Sequence, residues 1–236
     1  MDIETYAEQH PQFASEDVEL HLLEWLARSD FSTLLDVGCG SGRLISALLS
    51  KGLLDPASSR GVDLSQSQID RFRVLLPGFD VVVDDAQSLQ TVPDHTIDFL
   101  ISTQVLEHVD DARMMAAVRR VLAPGGIAYI STVSKRRWAR FIWRNQNSEW
   151  SLDPTHVREY TDDAQLLRLL DPMGPTLIDS RKVPVSYSLL DFVIRRLRLD
   201  PERVFALPIA RIARRARVRI PGYFIWSLVF RMTDTR

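Results

Sequence analysis

Residues 34–42 read Leu-Leu-Asp-Val-Gly-Cys-Gly-Ser-Gly, and this stretch constrains the fold more than any other part of the chain. An apolar strand runs into glycines at three alternate positions, and a helical pattern begins at Arg43. Such a loop lets a ligand lie directly against backbone, because glycine lacks Cβ and tolerates positive φ. The unpaired N–H groups of the helix start face the same ligand. The spacing G-x-G-x-G departs from the G-x-G-x-x-G of dinucleotide-binding loops, whose helix N-terminus receives a pyrophosphate. Asp36, two residues before the first glycine, would repel a pyrophosphate and attract an amine. The segment points to a nucleoside with a cationic or zwitterionic tail and away from NAD.

Strands and helices alternate along residues 15–133. Ser15 reads as the N-cap of a helix with Leu20, Leu23 and Leu26 on one face, ending near Ser29. Strands are predicted at 33–37, 60–64, 79–83, 97–103 and 127–133. Helices fall between them at 43–50, from the Ser65 cap to about Leu76, and over 110–122. Strands apolar on both faces and separated by helices describe a doubly wound, mostly parallel α/β sheet. Beyond lie an aromatic and basic segment at 134–160, a helix at 161–170 with Thr161 as N-cap, and two strands at 176–183 and 223–232. The last of the seven strands is expected to be antiparallel. Helical patterns between those two strands, around 189–199 and 208–218, complete a reading as one domain over 1–236. It has a core at 15–133 and a helical cap at 134–160 and 184–222.

The 236 residues include one cysteine, Cys39, which excludes a disulfide framework and any multi-cysteine zinc site and fits a reducing, cytoplasmic compartment. No signal pattern opens the chain, and no run reaches bilayer-spanning length. The net charge of −2 conceals an asymmetry: residues 181–236 hold thirteen Arg and Lys against four acids. A basic tail on an acidic body meets something anionic, within the molecule or outside it.

Ligands of open α/β sheets bind at the carboxyl ends of the strands. In order, those ends carry Asp36 and the glycine loop, Asp63, Asp84-Asp85, and Thr103-Gln104 leading to Glu107-His108. Asp63 stands about twenty residues after the loop, where an acid in such folds reaches ribose hydroxyls.

The segments LLDVGCGSGRL (34–44), GVDLS (61–65), VVDDAQSL (82–89), IDFLISTQVLEHVDD (97–111) and RVLAPGGIAYISTV (120–133) resemble the class I S-adenosylmethionine-dependent methyltransferases, closest to the small-molecule, type 11-like subgroup. The resemblance implies S-adenosyl-L-methionine as cofactor, held by Asp36, Gly38, Cys39, Gly40, Gly42, Asp63, Leu64, Asp85, Ala86 and Gln104. In that scheme Gly38, Gly40 and Gly42 pass under the methionine part, and Asp36 organises the loop near its amino group. Asp63 holds the ribose hydroxyls, and Asp85 meets adenine N6 with Ala86 beside it. Gln104 borders the methionine moiety or the acceptor. Two departures fall near the adenine pocket: Asp84 stands where many relatives have a small residue, and the loop at 89–93 is one residue longer. The segment 153–160, Asp-Pro-Thr-His-Val-Arg-Glu-Tyr, resembles a post-sheet motif that tends to face the acceptor, which singles out His156 and Arg158.

Methyl transfer to a hydroxyl requires alignment, exclusion of water and removal of a proton. His108 and His156 are the candidate catalytic residues, since imidazole titrates near neutral pH. A divalent ion held by Glu107, His108 and a third ligand is conceivable, but no metal is expected, because adjacent positions on one short segment rarely converge on one ion. The expected acceptor is a small or lipid-linked molecule. The fourth strand ends in Ser-Thr-Gln-Val and lacks the Asn/Asp-Pro-Pro-Tyr motif of base-amino methylases, and Cys39 lies in the glycine loop. An RNA methyltransferase is the less favoured alternative, and a cofactor-binding partner subunit without catalysis is another. In the 208–218 pattern, Ile209, Ile212, Ala213 and Ala216 share one face, and Arg211, Arg214 and Arg215 another. That helix fits a lid, a peripheral contact with an anionic membrane, or a nucleic-acid contact.

Overall fold

Each turn of the chain back to the sheet leaves a short buried strand, and five of them pair in parallel. In the computed structural model, residues 18–170, 175–190 and 216–233 are described throughout, with 194, 197, 199, 203–204 and 208–213 described between the last two stretches. The parallel strands are β1 (Leu34–Val37), β2 (Ser59–Asp63), β3 (Asp80–Val83), β4 (Ile97–Thr103) and β5 (Leu122–Lys135). A two-stranded hairpin, β6 (Trp143–Arg144) and β7 (Trp150–Ser151), follows. The sheet is completed by β8 (Pro175–Ser188) and β9 (Arg217–Met232), in the order β3-β2-β1-β4-β5-β9-β8. β9 runs antiparallel to both neighbours, so the sheet is seven-stranded and mostly parallel with an antiparallel last strand. The chain leaves β1 toward β2 and β3, then returns to place β4 on the other side of β1. That reversal opens a crevice at the carboxyl ends of β1 and β4.

Alternation along the strands separates two cores. Leu34 packs with helices α1 (Leu20–Arg28), α2 (Arg43–Ser50) and α3 (Gln66–Leu75) through Leu22, Ile45, Leu48, Ile69 and Phe72. Leu35 and Val37 face the opposite cluster, with Met114, Met115 and Val118 of α4 (Asp111–Val121) and Leu166 of α5 (Asp163–Leu170). The predicted cap forms at α3, where Ser65 Oγ accepts from the Gln68 N–H at 3.2 Å; at α4 Asp110, expected as the first helical residue, is the cap and accepts from the Arg113 N–H. Such a cap contributes about 1 kcal/mol. α1 and the residue before it are fastened to the central strand β5 and to the edge strand β8. Glu19 accepts from the Tyr129 and Ser131 hydroxyls, and Trp25 Nε1 donates to Asp179.

Four expectations change. Ser15 lies outside the described residues, and α1 begins at Leu20 after Glu19. Asp162, not Thr161, caps α5, accepting from the Ala164 N–H at 3.0 Å. The 208–218 helix stops early: α6 covers Pro208–Ala213, and Arg217 already belongs to β9, paired with Ser188. The alternating Arg-Val-Arg-Ile of 217–220 suits a strand, and cross-strand pairing to β8 overrides the helical pattern. Ile209 is 72% exposed while Ala210 is buried, so the expected apolar face is not covered there; Arg214 and Arg215 lie outside the described residues. The cap is not helical in its first part: 134–160, read only as an aromatic and basic stretch, forms the β6–β7 hairpin and loops. It shares a third apolar cluster, containing Val133, Ala139, Leu152, Val185, Ile220 and Tyr223, with the extended β8–β9 arm.

Candidate functional site

A cavity of about 820 Å³ lies over the carboxyl ends of β1 to β5. Ligand pockets run to about 300–1,000 Å³, so this one has room for a nucleoside and a second small molecule. Gly38 and Gly40 line it, both with positive φ, +75° and +52°. The Gly38 and Cys39 N–H groups donate to the Val62 carbonyl at 2.8 and 3.0 Å, which ties the loop to β2. A Cβ on Gly38 would stand 2.2 Å from Val105 Cγ2, so the loop sits flush on the turn after β4. Gly42 plays another part. It is the residue before α2, at φ +81°, and a Cβ there would meet the Phe72 ring at 2.7 Å. Its role is packing of loop on helix, and it does not line the cavity.

Asp63 reaches the cavity from the end of β2. Its carboxylate accepts the Gly40 N–H and the Ser65 N–H, each at 2.9 Å, and so joins the glycine loop to the start of α3. Leu64 follows it along the wall. At the end of β3, Asp85 and Ala86 line the cavity, and the Gln87 side chain donates to Asp85. Asp84 has a mainly structural task. Its carboxylate accepts from the N–H groups of Asp85, Gln90 and Thr91 and from the Thr91 hydroxyl, stapling the longer loop. The extra length is absorbed by Leu89, fully buried at φ +46°. Gln104 ends β4 at φ +58°, a conformation that costs a non-glycine residue about 1–3 kcal/mol and clusters at functional sites. Its N–H donates to the Ser131 carbonyl, and its side chain faces the cavity.

Asp36 and Cys39 lie behind the loop, outside the lining. The Cys39 thiol packs against Gly61, and burial pushes its pKa upward, which makes it inert. Asp36 is 1% exposed, and its Oδ2 has no hydrogen-bond partner. Burial, then the Asp63 charge, pushes its pKa up to about 7. Asp63 lines the cavity, and the incompletely satisfied Asp36 lies directly behind it, so this end of the cavity has acidic groups and, among the described residues that line it, lacks a cation. A sulfonium or ammonium in the cavity supplies it, so these residues fit the cofactor implied by the sequence.

A stability prediction follows. Folding holds a proton on Asp36 that the unfolded chain releases near pH 3.8, so this group's contribution is present below that pH and is lost as pH rises through 7. Asp36→Asn should therefore be more stable than the parent by about 2–4 kcal/mol at pH 8, with the gap closing toward pH 4. Urea denaturation at pH 4 to 8 reads this directly, and parallel pH profiles for the two proteins would refute it.

The far end of the cavity holds His108 and His156, whose ring centroids are 4.8 Å apart. His108 ends a 3₁₀ turn, Leu106–His108. The Val157 N–H donates to the Glu107 carbonyl at 2.8 Å and brings the 153–160 segment against that turn. His156 Nδ1 lies 2.7 Å from Glu159 Oε1, and Glu159 in turn pairs with buried Lys135 at 3.1 Å. Burial alone would lower the His156 pKa, but the Glu159 hydrogen bond and the Glu107 charge outweigh it and raise it. Glu107 is fully buried, which pushes it up to about 7 against the pull of His156 and the Thr132 hydroxyl. Arg158, expected near the acceptor, points elsewhere: it pairs with Asp111 at 2.6 Å and clamps the segment to α4.

Sequence reading missed three parts of this site. Glu159 carried a signal, an acid three residues after a histidine in one short loop. Lys135 stood beyond the last recognisable segment. The wall formed by Val183, Val185, Tyr187, Arg217 and Ile225 lies mostly within the 184–222 region expected to meet the acceptor, but no signal marked these residues, since the wall exists only through pairing of distant strands.

Residues 35–130 match a family model described as a methyltransferase domain. A probable S-adenosylmethionine-dependent methyltransferase of Mycolicibacterium smegmatis is 28% identical over 144 residues, 60% of this chain and 51% of that protein. A ubiquinone biosynthesis O-methyltransferase of Pseudomonas paraeruginosa is 32% identical over 108 residues, 44% of this chain and 45% of that protein. The chain thus spans about half the length of these curated relatives. The solved structure of a SAM-dependent methyltransferase from Methanosarcina mazei superposes with a TM-score of 0.60 at 18% identity, covering 92% of this chain and 99% of that one. That last likeness is one of fold.

Proposed function

We propose, for a chain that through its residues 35–130 belongs to the class I S-adenosylmethionine-dependent methyltransferases, that it methylates a hydroxyl of a small or lipid-linked acceptor. The observation that carries this reading is the continuity of one cavity from the glycine loop and Asp63, past Gln104, to His108 and His156. When bound, S-adenosylmethionine supplies a methyl group on a sulfonium: the acceptor oxygen bonds to that carbon as the C–S bond breaks, and the electron pair stays on sulfur. Asp63 would take the ribose hydroxyls and Asp85 the adenine amine, while the Gly38 and Gly40 backbone would underlie the methionine part. His108 and His156 would hold the acceptor hydroxyl at this end of the cavity and promote the passage of its proton to water. Val185, Tyr187 and Ile225 exclude water from that end.

A lipid-linked acceptor is favoured by the surface of the stretch 137–144, which leads to Gln146 and Leu152 of the cavity wall. Trp138, Ile142 and Trp143 are 66%, 59% and 46% exposed, in a segment that also carries Arg137, Arg140 and Arg144. Exposed aromatics among arginines suit the interface of an anionic membrane. Among the described residues no helix is long and apolar enough to cross one.

The test is transfer of labelled methyl to lysate fractions, run with dissolved acceptors and with extracts in anionic vesicles. His156→Ala should lower the transfer rate by about 10²–10⁴-fold while S-adenosylhomocysteine still binds. Full activity in that variant would remove His156 from the chemistry, and label recovered in RNA alone would overturn the acceptor class. Cofactor binding without any transfer would favour a partner subunit.

A further inference from the structure

Resting on the reading above, we infer that Glu107, His108 and His156 form a site for one divalent transition-metal ion, of the zinc or manganese type, at the acceptor end of the cavity. One ligand atom from each residue lies within 4.8 Å of the other two. Ligands held about 2.0–2.2 Å from zinc stand about 3–4 Å apart, so about 1 Å of side-chain movement closes the set. The sequence offered only the adjacent pair at 107 and 108. The fold supplies the third ligand, because the Val157 N–H is seated on the Glu107 carbonyl and delivers His156. In a 3₁₀ turn, neighbouring side chains diverge by about 120° and not by the near-reversal of a strand, so Glu107 and His108 can flank one point.

A second observation concerns Glu107 alone. Its side chain is fully buried and Oε2 accepts the Thr132 hydroxyl at 2.9 Å, but Oε1 has no hydrogen-bond partner. A buried carboxylate oxygen left so costs about 1–3 kcal/mol or more, and a cation satisfies it. Outer partners orient both rings. Glu159 holds His156 at Nδ1. Thr155 Oγ1 lies 3.2 Å from His108 Nδ1 and donates its own proton to Asp153, so it accepts from the ring. This is the outer-sphere pattern of metal-binding histidines, which turns the remaining nitrogen toward the ion. Two imidazoles and one carboxylate suit zinc, manganese or iron(II) better than calcium or magnesium, which prefer oxygen. Three protein ligands leave positions open toward the cavity, where an acceptor oxygen would bind and lose its proton to water more readily.

The experiment is a titration of the chelator-treated full chain with Co²⁺, followed by its visible absorption, with Zn²⁺ as competitor. One equivalent is expected to bind, Zn²⁺ to displace it, and His108→Ala, His156→Ala and Glu107→Gln each to weaken it at least tenfold. Calorimetry with S-adenosylhomocysteine on every variant verifies the fold and tests the methyltransferase reading separately. Absence of saturable one-to-one binding, or wild-type affinity in both histidine variants that bind S-adenosylhomocysteine, overturns the metal site and leaves that reading standing. Metal binding in a protein that never binds S-adenosylhomocysteine overturns the reading and leaves the metal site.

Discussion

The Asp63→Ala protein should lose affinity for S-adenosylhomocysteine by about 10²–10⁴-fold. A hydrogen bond to a charged group contributes about 1.5–3 kcal/mol, and the carboxylate is assigned two ribose hydroxyls. The loss has a second source. Asp63 already accepts the Gly40 and Ser65 N–H groups, so its removal also frees the glycine loop from the start of α3. Asp63→Asn should be nearly as damaging, since an amide offers one acceptor oxygen where two backbone donors converge, and its NH₂ would face one of them. Calorimetry measures this, and an unchanged Kd for either variant would exclude Asp63 from the ligand site.

Gly38→Ala carries the second large effect, on stability. Positive φ costs an alanine about 1–2 kcal/mol, and the new Cβ would overlap Val105 Cγ2 at 2.2 Å. Overpacking of that kind adds about 1–3 kcal/mol. The sum, about 2–5 kcal/mol, corresponds to a fall in Tm of about 5–15 °C for a chain of this size. Only the overlap can be relieved elsewhere. Gly38→Ala combined with Val105→Ala should therefore be less destabilised than the two single variants together, a coupling that denaturant titration resolves. Strict additivity would show that Val105 does not limit the loop.

The parallel half of the molecule was legible because its signals are local. The glycines at 38, 40 and 42, the Ser65 cap, and the acids at successive strand ends each lie within a few residues of what they determine. Legibility failed where pairing is long-range. Nothing near Arg217 announces that it will face Ser188 across a strand pair, so its helical periodicity misled. Asp84 illustrates another limit: an acid at a strand end reads the same whether it meets a ligand or, as here, four donors of its own loop. The juxtaposition of His156 with Glu107 and His108 depends on backbone bonds between segments far apart in sequence, and no periodicity encodes it.

Those backbone bonds have a consequence for how such a protein can diversify. Besides the Arg158 and Tyr160 side chains that bond Asp111, the 153–160 segment is seated by its main chain: the Val157 N–H on the Glu107 carbonyl, the Tyr160 N–H on the Val133 carbonyl, and the Lys135 N–H on the Tyr160 carbonyl. A seat built from peptide groups is indifferent to the side chains that occupy it. Residues facing the cavity from this segment can thus be exchanged without loosening its attachment. They also lie beyond residues 35–130, the stretch shared with the family. Side chains at that end of the cavity can drift on a fixed mount, while the half that carries the glycine loop stays as it is.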